Sequence, residues 1–430
     1  MKNPLTSFLN VLRVYGQRLK AFQPNARLYL INVIIVGAVM GIYRLLFNFY
    51  VLSLGFDEAL LGNLVAVSSM AGLITVLPMG YLADLLGRKA SLLIAGFGTV
   101  VTIAALVLWP SQWMLVAMTA LSGVAGALAG VTMSPFLMEN SGEQERTYLF
   151  SFGNGLQMVS SSVGNWIGGY LPTWVAMTLG ASVSAVSAEA YGGALVVVSG
   201  AAAIGLFPLL LLRTPKLGRA QRTVFAPITY AMKNPALLAK LISPMLITSI
   251  GAGLTMPFMN VFFRQQYGQP DNVIGTLFAW GSLAMGVGLL LAPPLADRIG
   301  KIRLVVITQG LSIPFLILLG FAPWFWLSTA AYFIRVALMN MSGPVYQTYV
   351  MEHVEPSARA TVASLVSMSW NVGWFISPMV SGWLQVRYGF APPFIGTIIL
   401  YTISVFLYWS FFWRATQAKA EPVPAPLSGD

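Results

Sequence analysis

The chain has no cysteine and a single histidine, His353, among its 430 residues. Disulfide bridges and zinc sites built from cysteine and histidine are therefore excluded, and we expect no metal and no cofactor. Charged residues make up only 9% of the chain and apolar residues 57%, whereas soluble domains carry about 25% charged residues. The composition indicates a membrane protein. Because the N-terminal residues lack an apolar core followed by a small-residue cleavage site, we expect no cleaved signal peptide.

Twelve apolar runs of about 18–25 residues are each long enough for a helix to cross the hydrocarbon core. They fall as six plus six around a basic, proline-containing segment. We therefore predict an all-α polytopic membrane protein with 12 transmembrane helices in two pseudo-symmetric six-helix bundles. The predicted segments are an amphipathic cytoplasmic segment at 1–27, the first bundle at 28–212, a cytoplasmic linker at 213–240, the second bundle at 241–413 and a disordered cytoplasmic tail at 414–430. The first of these suits a helix on the membrane surface, with a plain soluble tail as the alternative.

The net charge of +11 is placed as the positive-inside rule requires. If the N-terminus is cytoplasmic, all but four of the 24 lysine and arginine residues lie in cytoplasmic segments. The four exceptions are Arg44, Arg264, Arg335 and Arg387. The basic excess therefore predicts an inner (plasma) membrane protein with both termini in the cytoplasm. It is not the footprint of a nucleic-acid partner.

A short polar motif occurs twice, 213 residues apart. Residues 80–89 read GYLADLLGRK, and residues 293–303 read PPLADRIGKIR. The same shift carries Glu139 onto Glu352 and Arg146 onto Arg359. The chain is therefore predicted to be a duplicated half of about 200 residues.

The twelve helices, together with Gly-x-Leu-Ala-Asp-x-x-Gly-Arg-Lys between the second and third, resemble the major facilitator superfamily. The resemblance implies halves related by an axis along the membrane normal, with substrate bound between them near the midplane. It also implies transport by rocking one half against the other.

The resemblance further implies a charged gate on the cytoplasmic side. Asp84 would face the start of the eleventh helix near Arg359, and by symmetry Asp297 would face the fifth helix near Arg146. The candidate ion pairs are Arg88 with Glu139 and Lys301 with Glu352. The alternative is that these charges only set the topology.

A second family feature is incomplete. Proton-coupled drug antiporters of this superfamily end helix five with Gly-Pro-x-x-Gly-Gly, whereas residues 164–169 read GNWIGG and lack the proline. The glycines alone are explained by helix packing through small residues. The departure disfavours antiport of the drug-efflux kind.

Two arginines are embedded in predicted spans, and no acidic residue is. Arg44 lies in the first helix and Arg335 in the tenth, where a charge costs at least about 2.5–3.5 kcal/mol. Two guanidinium groups without an embedded acid would suit a carboxylate or phosphate, which they can hold through paired hydrogen bonds. The structural alternative is that each arginine binds backbone carbonyls or stacks on aromatics such as Tyr43 and Tyr346.

We interpret the chain as a secondary or facilitative transporter that works by alternating access. The expected substrate is an organic anion or anionic amphiphile, including a lipid-like one. The alternatives are a proton-coupled multidrug exporter, or a membrane assembly or receptor protein that kept the fold without transport. We expect a monomer in the lipid bilayer that binds a small molecule and is not an enzyme. Beside the arginines, the predicted substrate-lining residues are Asn48, Gln157, Asn260, Tyr346, Trp370, Asn371 and Trp374.

Overall fold

The computed structural model describes residues 22–180, 183–213, 235–352, 354 and 359–413, with side chains for all of these except 143–148, 359–361, 363, 364 and 367. Every regular element in these residues is a helix, which confirms the predicted all-α class. The first six are α1 (Pro24–Ser53), α2 (Glu58–Leu86), α3 (Arg88–Leu108), α4 (Gln112–Glu139), α5 (Glu143–Leu179) and α6 (Ala188–Leu210). Most of the predicted N-terminal segment and linker, and the tail, lie outside the described residues.

The second six helices complete the predicted six-plus-six order. They are α7a (Pro235–Thr255) and α7b (Met259–Tyr267), α8 (Asp271–Ile299), α9 (Lys301–Phe321), α10 (Phe325–Glu352), α11 (Arg359–Tyr388) and α12 (Ala391–Tyr408). A 3-10 turn at Met256–Phe258 divides α7a from α7b, at the break that Pro257 predicts. A π-helical turn at Trp409–Trp413 follows α12.

In the part of the chain that the structure describes, nine helices are long and apolar enough to cross a membrane, α7a and α7b counting as one. The other three, α5, α10 and α11, are equally long but more polar. Arg335 and Asn340 lower the hydropathy of α10, and glycine, serine and asparagine lower that of α5 and α11. Most of the predicted substrate-lining residues lie on these three helices.

Side-chain caps fix where several helices begin. The Asp57 carboxylate accepts a hydrogen bond from the Leu60 N–H at 2.9 Å, and serine caps begin α4 and α6 in the same way. The helix α5 continues through Pro172 to Leu179, and α6 begins at Ala188. Proline is tolerated inside membrane helices because neighbouring groups satisfy the freed carbonyl.

The duplication is visible in the backbone. Gly87 and Gly300, which are equivalent in the two repeats, adopt φ of 84° and 92°. Gly55 and Gly268, also 213 residues apart, adopt φ of 88° and 63°. These are left-handed conformations that residues with a Cβ rarely adopt. The same turns therefore connect the same pairs of helices in each repeat.

The described residues of 22–213 and 258–283 form one compact unit, containing α1–α6, α7b and the first part of α8. Within it α1 packs on α5 and α6, α2 on α4, and α3 on α4 and α6. A Cβ on Gly164 would collide with the Ala38 carbonyl, and one on Gly123 with that of Ser68. Because lipid supplies no hydrophobic force between helices, such close backbone contacts stabilise the bundle through van der Waals packing.

The second compact unit contains α7a, the rest of α8 and α9–α12. Here α7a packs on α11 and α12, and α9 packs on α10 and α12. Hydroxyl groups join these helices. The Thr248 and Ser404 hydroxyls are 2.7 Å apart, and Thr397 Oγ1 donates to the Gly251 carbonyl at 3.0 Å. Such interhelical hydrogen bonds each stabilise a membrane bundle by about 0.6 kcal/mol.

We predict that Gly164→Ala destabilises the first unit by about 1–3 kcal/mol, because the added Cβ meets the backbone of α1 and not a movable side chain. The thermal unfolding midpoint of the purified protein in detergent measures the effect. Gly155→Ala on the same helix is the control, since a Cβ there meets nothing within 4 Å. Equal midpoints for the two variants would contradict the assignment.

Candidate functional site

The first copy of the repeated motif forms a cluster of three charges within the first unit. Arg88 Nη1 donates to Asp84 Oδ1 at 2.7 Å, and Arg88 Nε donates to Glu139 Oε1 at 3.1 Å. The Gly87 turn ends α2 and begins α3, which places Asp84 and Arg88 on the same side of the junction. The three side chains are 14–24% exposed, so the charge-assisted hydrogen bonds are only partly screened by solvent.

Lys89 has a role that sequence reasoning missed. Its ammonium group donates to the carbonyls of Leu210 and Leu212 at 2.6 and 2.9 Å. These carbonyls lie at the C-terminal end of α6, where a helix leaves acceptors unpaired and favours a cation. Lys89 therefore caps α6. Lys89 and the end of α6 are more than 120 residues apart in the sequence, and no sequence pattern links them.

The charged residues of the second copy of the motif are more exposed to solvent than those of the first. Lys301 and Glu352 form an ion pair with side chains 32% and 50% exposed, and Asp297 is exposed. Lysine offers a single charged point, whereas Arg88 reaches two carboxylates with separate nitrogens. The side chains of Arg146 and Arg359 lie outside the described residues, so their approach to Asp297 and Asp84 stays a prediction.

Arg335 is the embedded arginine with the most unusual surroundings. It is 2% exposed, and its guanidinium contacts the Tyr401 hydroxyl at 3.3 Å and the Met256 sulfur at 3.6 Å. Its Nε has no hydrogen-bond partner in the described part of the chain, where no ion pair includes Arg335. A hydroxyl and a thioether are weak acceptors for a buried cation.

The aromatic partner of Arg335 differs from the one that the sequence suggested. The guanidinium carbon lies 5.5 Å from the centre of the Tyr401 ring. Tyr346 instead donates its hydroxyl to the Leu241 carbonyl at 2.6 Å and packs edge-on against Tyr408. Tyr346 is thus a core residue joining α10 to α7a and α12. Tyr401 lies 66 residues from Arg335, so no helical periodicity could connect them.

The second unit contains buried polar atoms that have no hydrogen-bond partner in the described residues. Among the described residues, every buried side-chain nitrogen or oxygen without a hydrogen-bond partner belongs to this unit. The residues concerned are Thr255, Thr329, Arg335, Trp374, Ser377 and Gln385. Leaving such an atom unpaired costs about 1–3 kcal/mol. Of the described residues, those whose buried polar atoms find no partner within the protein are therefore concentrated in the second unit.

Two predicted lining residues of the first unit bind each other. Asn48 Nδ2 donates to Asn260 Oδ1 at 2.8 Å, and Asn260 Nδ2 donates to the Leu45 carbonyl at 2.8 Å. Both side chains are buried. Arg44, one turn before Asn48 on α1, is exposed. The amides are thus satisfied by protein groups, and their contact with substrate stays a prediction.

The remaining candidates are more accessible. Gln157 on α5 and Asn371 on α11 are exposed. Trp370 and Trp374 are partly buried on α11, and Trp374 Nε1 is among the atoms without a partner. Their contact with substrate stays a prediction.

The comparisons with known proteins agree with this architecture. The sequence model of the Major Facilitator Superfamily matches residues 29–270 and 241–429. The chain is 24% identical over 401 residues to the multidrug resistance protein MdtG of Dickeya zeae (strain Ech586), covering 89% of this chain and 93% of that protein. The protein of the same name from Proteus mirabilis (strain HI4320) is 24% identical, with 79% and 82% covered.

Solved structures show the same fold. The nucleoside transporter NupG aligns with a TM-score of 0.72 at 16% identity, covering 93% of this chain and 100% of that one. A bacterial homologue of the human lysosomal transporter Spinster aligns with a TM-score of 0.72 at 14% identity, covering 99% and 100%. At these identities the likeness concerns the fold alone.

We predict that Asp84→Asn lowers stability more than Asp297→Asn. The first change weakens a hydrogen bond to a partly buried arginine, by about 1.5 kcal/mol or less after screening, whereas Asp297 is exposed. Thermal unfolding midpoints of the two purified variants, beside the parent, provide the measurement. An equal fall of the unfolding midpoint in both variants would contradict this prediction, because it would show that the two aspartates contribute equally to stability.

Proposed function

The chain belongs to the major facilitator superfamily, and on that premise we propose that it exports amphipathic, drug-like compounds. The observation that carries this proposal is the similarity to multidrug resistance proteins along nine-tenths of the chain. The composition supports it, because 20 methionine and 12 tryptophan residues supply adaptable apolar surface. The missing proline at residues 164–169 then reflects a difference within efflux proteins and not a different function.

A second candidate function, transport of organic anions, is favoured by Arg335. A buried guanidinium with only a hydroxyl and a thioether beside it lacks the strong acceptor that would offset its desolvation. A carboxylate, sulfonate or phosphate group of a substrate would supply that acceptor and reach the unpartnered Nε. The two functions meet in one substrate class, the anionic amphiphile.

The positions of the acidic residues indicate whether transport is coupled to proton movement. In the described part of the chain, every aspartate and glutamate lies within three residues of a helix end or caps one. Carboxylates in the middle of spans are the usual proton carriers of transporters. We therefore propose exchange or facilitated transport over obligatory proton antiport. The protein acts as a monomer in the inner membrane with both termini in the cytoplasm.

Transport in inside-out membrane vesicles tests the substrate class. We use radiolabelled taurocholate as the anionic amphiphile and tetraphenylphosphonium as the cationic one, with vesicles lacking the protein as the blank. Uptake of either probe supports amphiphile export, and preference for taurocholate supports the anion reading. If vesicles containing the protein take up neither probe faster than the blank vesicles, amphiphile export is wrong.

We predict that Arg335→Gln weakens taurocholate binding at least about 10-fold, because one charged hydrogen bond is worth about 1.5–3 kcal/mol. Arg335→Lys keeps the charge but loses the planar guanidinium group, so its affinity for taurocholate should fall between those of the parent and Arg335→Gln. Arg387→Gln is the matched control, since Arg387 is exposed and lies over the Trp383 ring. Ligand-induced shifts of the unfolding midpoint give the affinities. Unchanged taurocholate binding in Arg335→Gln would assign this arginine a purely structural role.

We also predict that an imposed pH gradient does not drive accumulation of the transported probe. The expected result is equal steady-state uptake with and without the gradient, because no mid-span acid is available among the described residues to carry the proton. Accumulation that follows the gradient, and that Asp57→Asn or Glu58→Gln abolishes, would contradict this and identify the carrier.

A further inference from the structure

Tyr401 on α12 is not among the predicted substrate-lining residues, yet it contacts Arg335 directly. Its side chain is 3% exposed, and its hydroxyl oxygen accepts a hydrogen bond from Arg335 Nη2 at 3.3 Å. Both residues lie ten positions beyond the first residue of their helices, α10 and α12, and therefore away from the ends of these helices. The phenol and the guanidinium thus form one buried polar pair.

The backbone of α7a fixes the position of the Tyr401 ring. A Cβ on Gly251 would lie 2.8 Å from two carbons of this ring, so the ring packs directly against the α7a backbone. One turn before Tyr401, Thr397 donates its hydroxyl to the Gly251 carbonyl at 3.0 Å. Because these contacts leave the ring little freedom, the hydroxyl is held beside the guanidinium before any ligand binds, and such preorganisation strengthens binding.

This pair has more hydrogen-bond donors than acceptors. Among the described residues, the Tyr401 hydroxyl has no hydrogen bond other than the one that it accepts from Arg335, so its own hydrogen has no acceptor there. In the same part of the chain Arg335 Nε lacks a partner, and Arg335 Nη1 has the Met256 sulfur at 3.6 Å, which is a weak acceptor. A ligand with two acceptor oxygens would satisfy the phenol and the guanidinium together.

The pair carries a single positive charge. Every other charged side chain that the structure describes in the second unit lies within six residues of a helix end. A singly charged anion would therefore be neutralised at this site, whereas a doubly charged one would leave a buried negative charge without a partner. An unpaired buried charge is strongly destabilising.

We propose that Tyr401 is a second anion ligand beside Arg335, and that the two together select singly charged carboxylates and sulfonates over doubly charged phosphates. The anion accepts hydrogen bonds from Arg335 Nε and from the Tyr401 hydroxyl. The Met256 thioether and the Tyr401 ring supply apolar surface for the group that carries the anion. This selectivity rests on organic-anion transport, the second candidate function, and narrows its substrate class.

The alternative role of Tyr401 is to hold Arg335 in place without contacting the anion. In that case Tyr401→Phe releases a guanidinium that needs an acceptor more than before, so an anion should bind as tightly as to the parent or more tightly. If Tyr401 is a ligand, the same change removes a donor to the anion and should weaken binding roughly 10-fold. The two roles therefore predict different changes in affinity.

Calorimetric titration of the purified full chain in detergent with 2-naphthalenesulfonate measures this affinity, with empty micelles as the blank. Tyr401→Phe and Arg335→Gln should each bind the sulfonate roughly 10-fold more weakly than the parent. Tyr408→Phe is the matched control, because it removes the hydroxyl of another buried tyrosine of α12, which packs against Tyr346. The sulfonate affinity of this control should equal that of the parent.

The charge preference is measured on the parent protein with 2-naphthyl phosphate, which has the same apolar body. A phosphate monoester loses its second proton at a pKa of about 6, so this ligand is doubly charged at pH 8 and singly charged at pH 5. We expect it to bind at least about 10-fold more weakly at pH 8 than at pH 5. Because this measurement needs no variant, it decides the charge preference even where Tyr401→Phe lowers the yield of folded protein.

The sulfonate separates titration of the ligand from titration of the protein. Among the described residues, the titratable groups that interact with Arg335 are Tyr332 and Tyr401. Both are phenols, which stay protonated below about pH 9. The sulfonate keeps one charge throughout, so its affinity should be the same at pH 5 and pH 8.

Each outcome decides the proposal or the function on which it rests. Weaker sulfonate binding by Tyr401→Phe, together with weaker phosphate binding at pH 8, supports a site with two anion ligands. If Arg335→Gln loses affinity while Tyr401→Phe keeps or gains it, Arg335 binds the anion and Tyr401 only holds the arginine. If the phosphate binds equally well at both pH values, the selectivity for a single charge is wrong. If the parent binds neither naphthalene compound, anion recognition is wrong, and the role of Tyr401 with it, whereas the vesicle assay still decides amphiphile export.

Discussion

The cost of moving a charge out of water decides where almost every acid and base of this chain lies. In the described residues the acids lie at helix ends, within reach of water. Acids at helix starts, such as Glu58 and Asp271, are also favoured by the unpaired backbone N–H groups there. Acids at C-terminal ends lack that support, and Asp84, Glu139 and Glu352 are paired with basic side chains. Arg88, Lys89 and Lys301 lie at the starts of helices following the left-handed glycines. With charge confined to the ends, the middle of the bundle is left to methionine, aromatic and small residues. Against this background Arg335 is an exception, and its burial is what makes the second unit a candidate for recognition.

The duplication supplies the same backbone twice but not the same chemistry. Gly87 and Gly300 turn the chain alike, yet arginine follows one and lysine the other. A guanidinium can satisfy two carboxylates at once from separate nitrogens, whereas an ammonium group is a compact point charge. The first repeat therefore fixes Asp84, Arg88 and Glu139 as a unit, and the second makes a more solvated pair. Asymmetry between repeats arises from single side chains on a shared frame.

Much of the fold could be predicted from the sequence because its signals are local. Apolar length predicts spans, and the spacing of the GYLADLLGRK motif predicts the turns at Gly87 and Gly300. Pro257 predicts the break in the seventh helix. Pro172 lies inside the fifth helix, because the rule that proline ends a helix does not hold where neighbouring helices satisfy the freed carbonyl.

The candidate site was less predictable because its contacts are distant in sequence. Arg335 was found from its charge within an apolar run, but Tyr401 and Met256 reach it from other helices. The Lys89 cap on α6 and the Tyr191–Asp271 hydrogen bond likewise join helices that no periodicity relates. Charge in an apolar context identifies a residue, whereas only packing identifies its partners.

The contact of α5 with α8 in the first unit has an entropic consequence. A Cβ on Gly169 would meet the backbone of Asp271 and Asn272, and one on Gly275 would meet that of Asn165 and Gly169. The two helices therefore touch backbone to backbone at a point without side-chain rotamers. Forming this contact freezes no side-chain torsion angle at the two glycines, whereas each long side chain that is immobilised loses up to about 2 kcal/mol of rotamer freedom. Heating, which penalises ordered side chains in proportion to temperature, should therefore weaken the contacts made by arginine and glutamine well before it weakens the glycine seam.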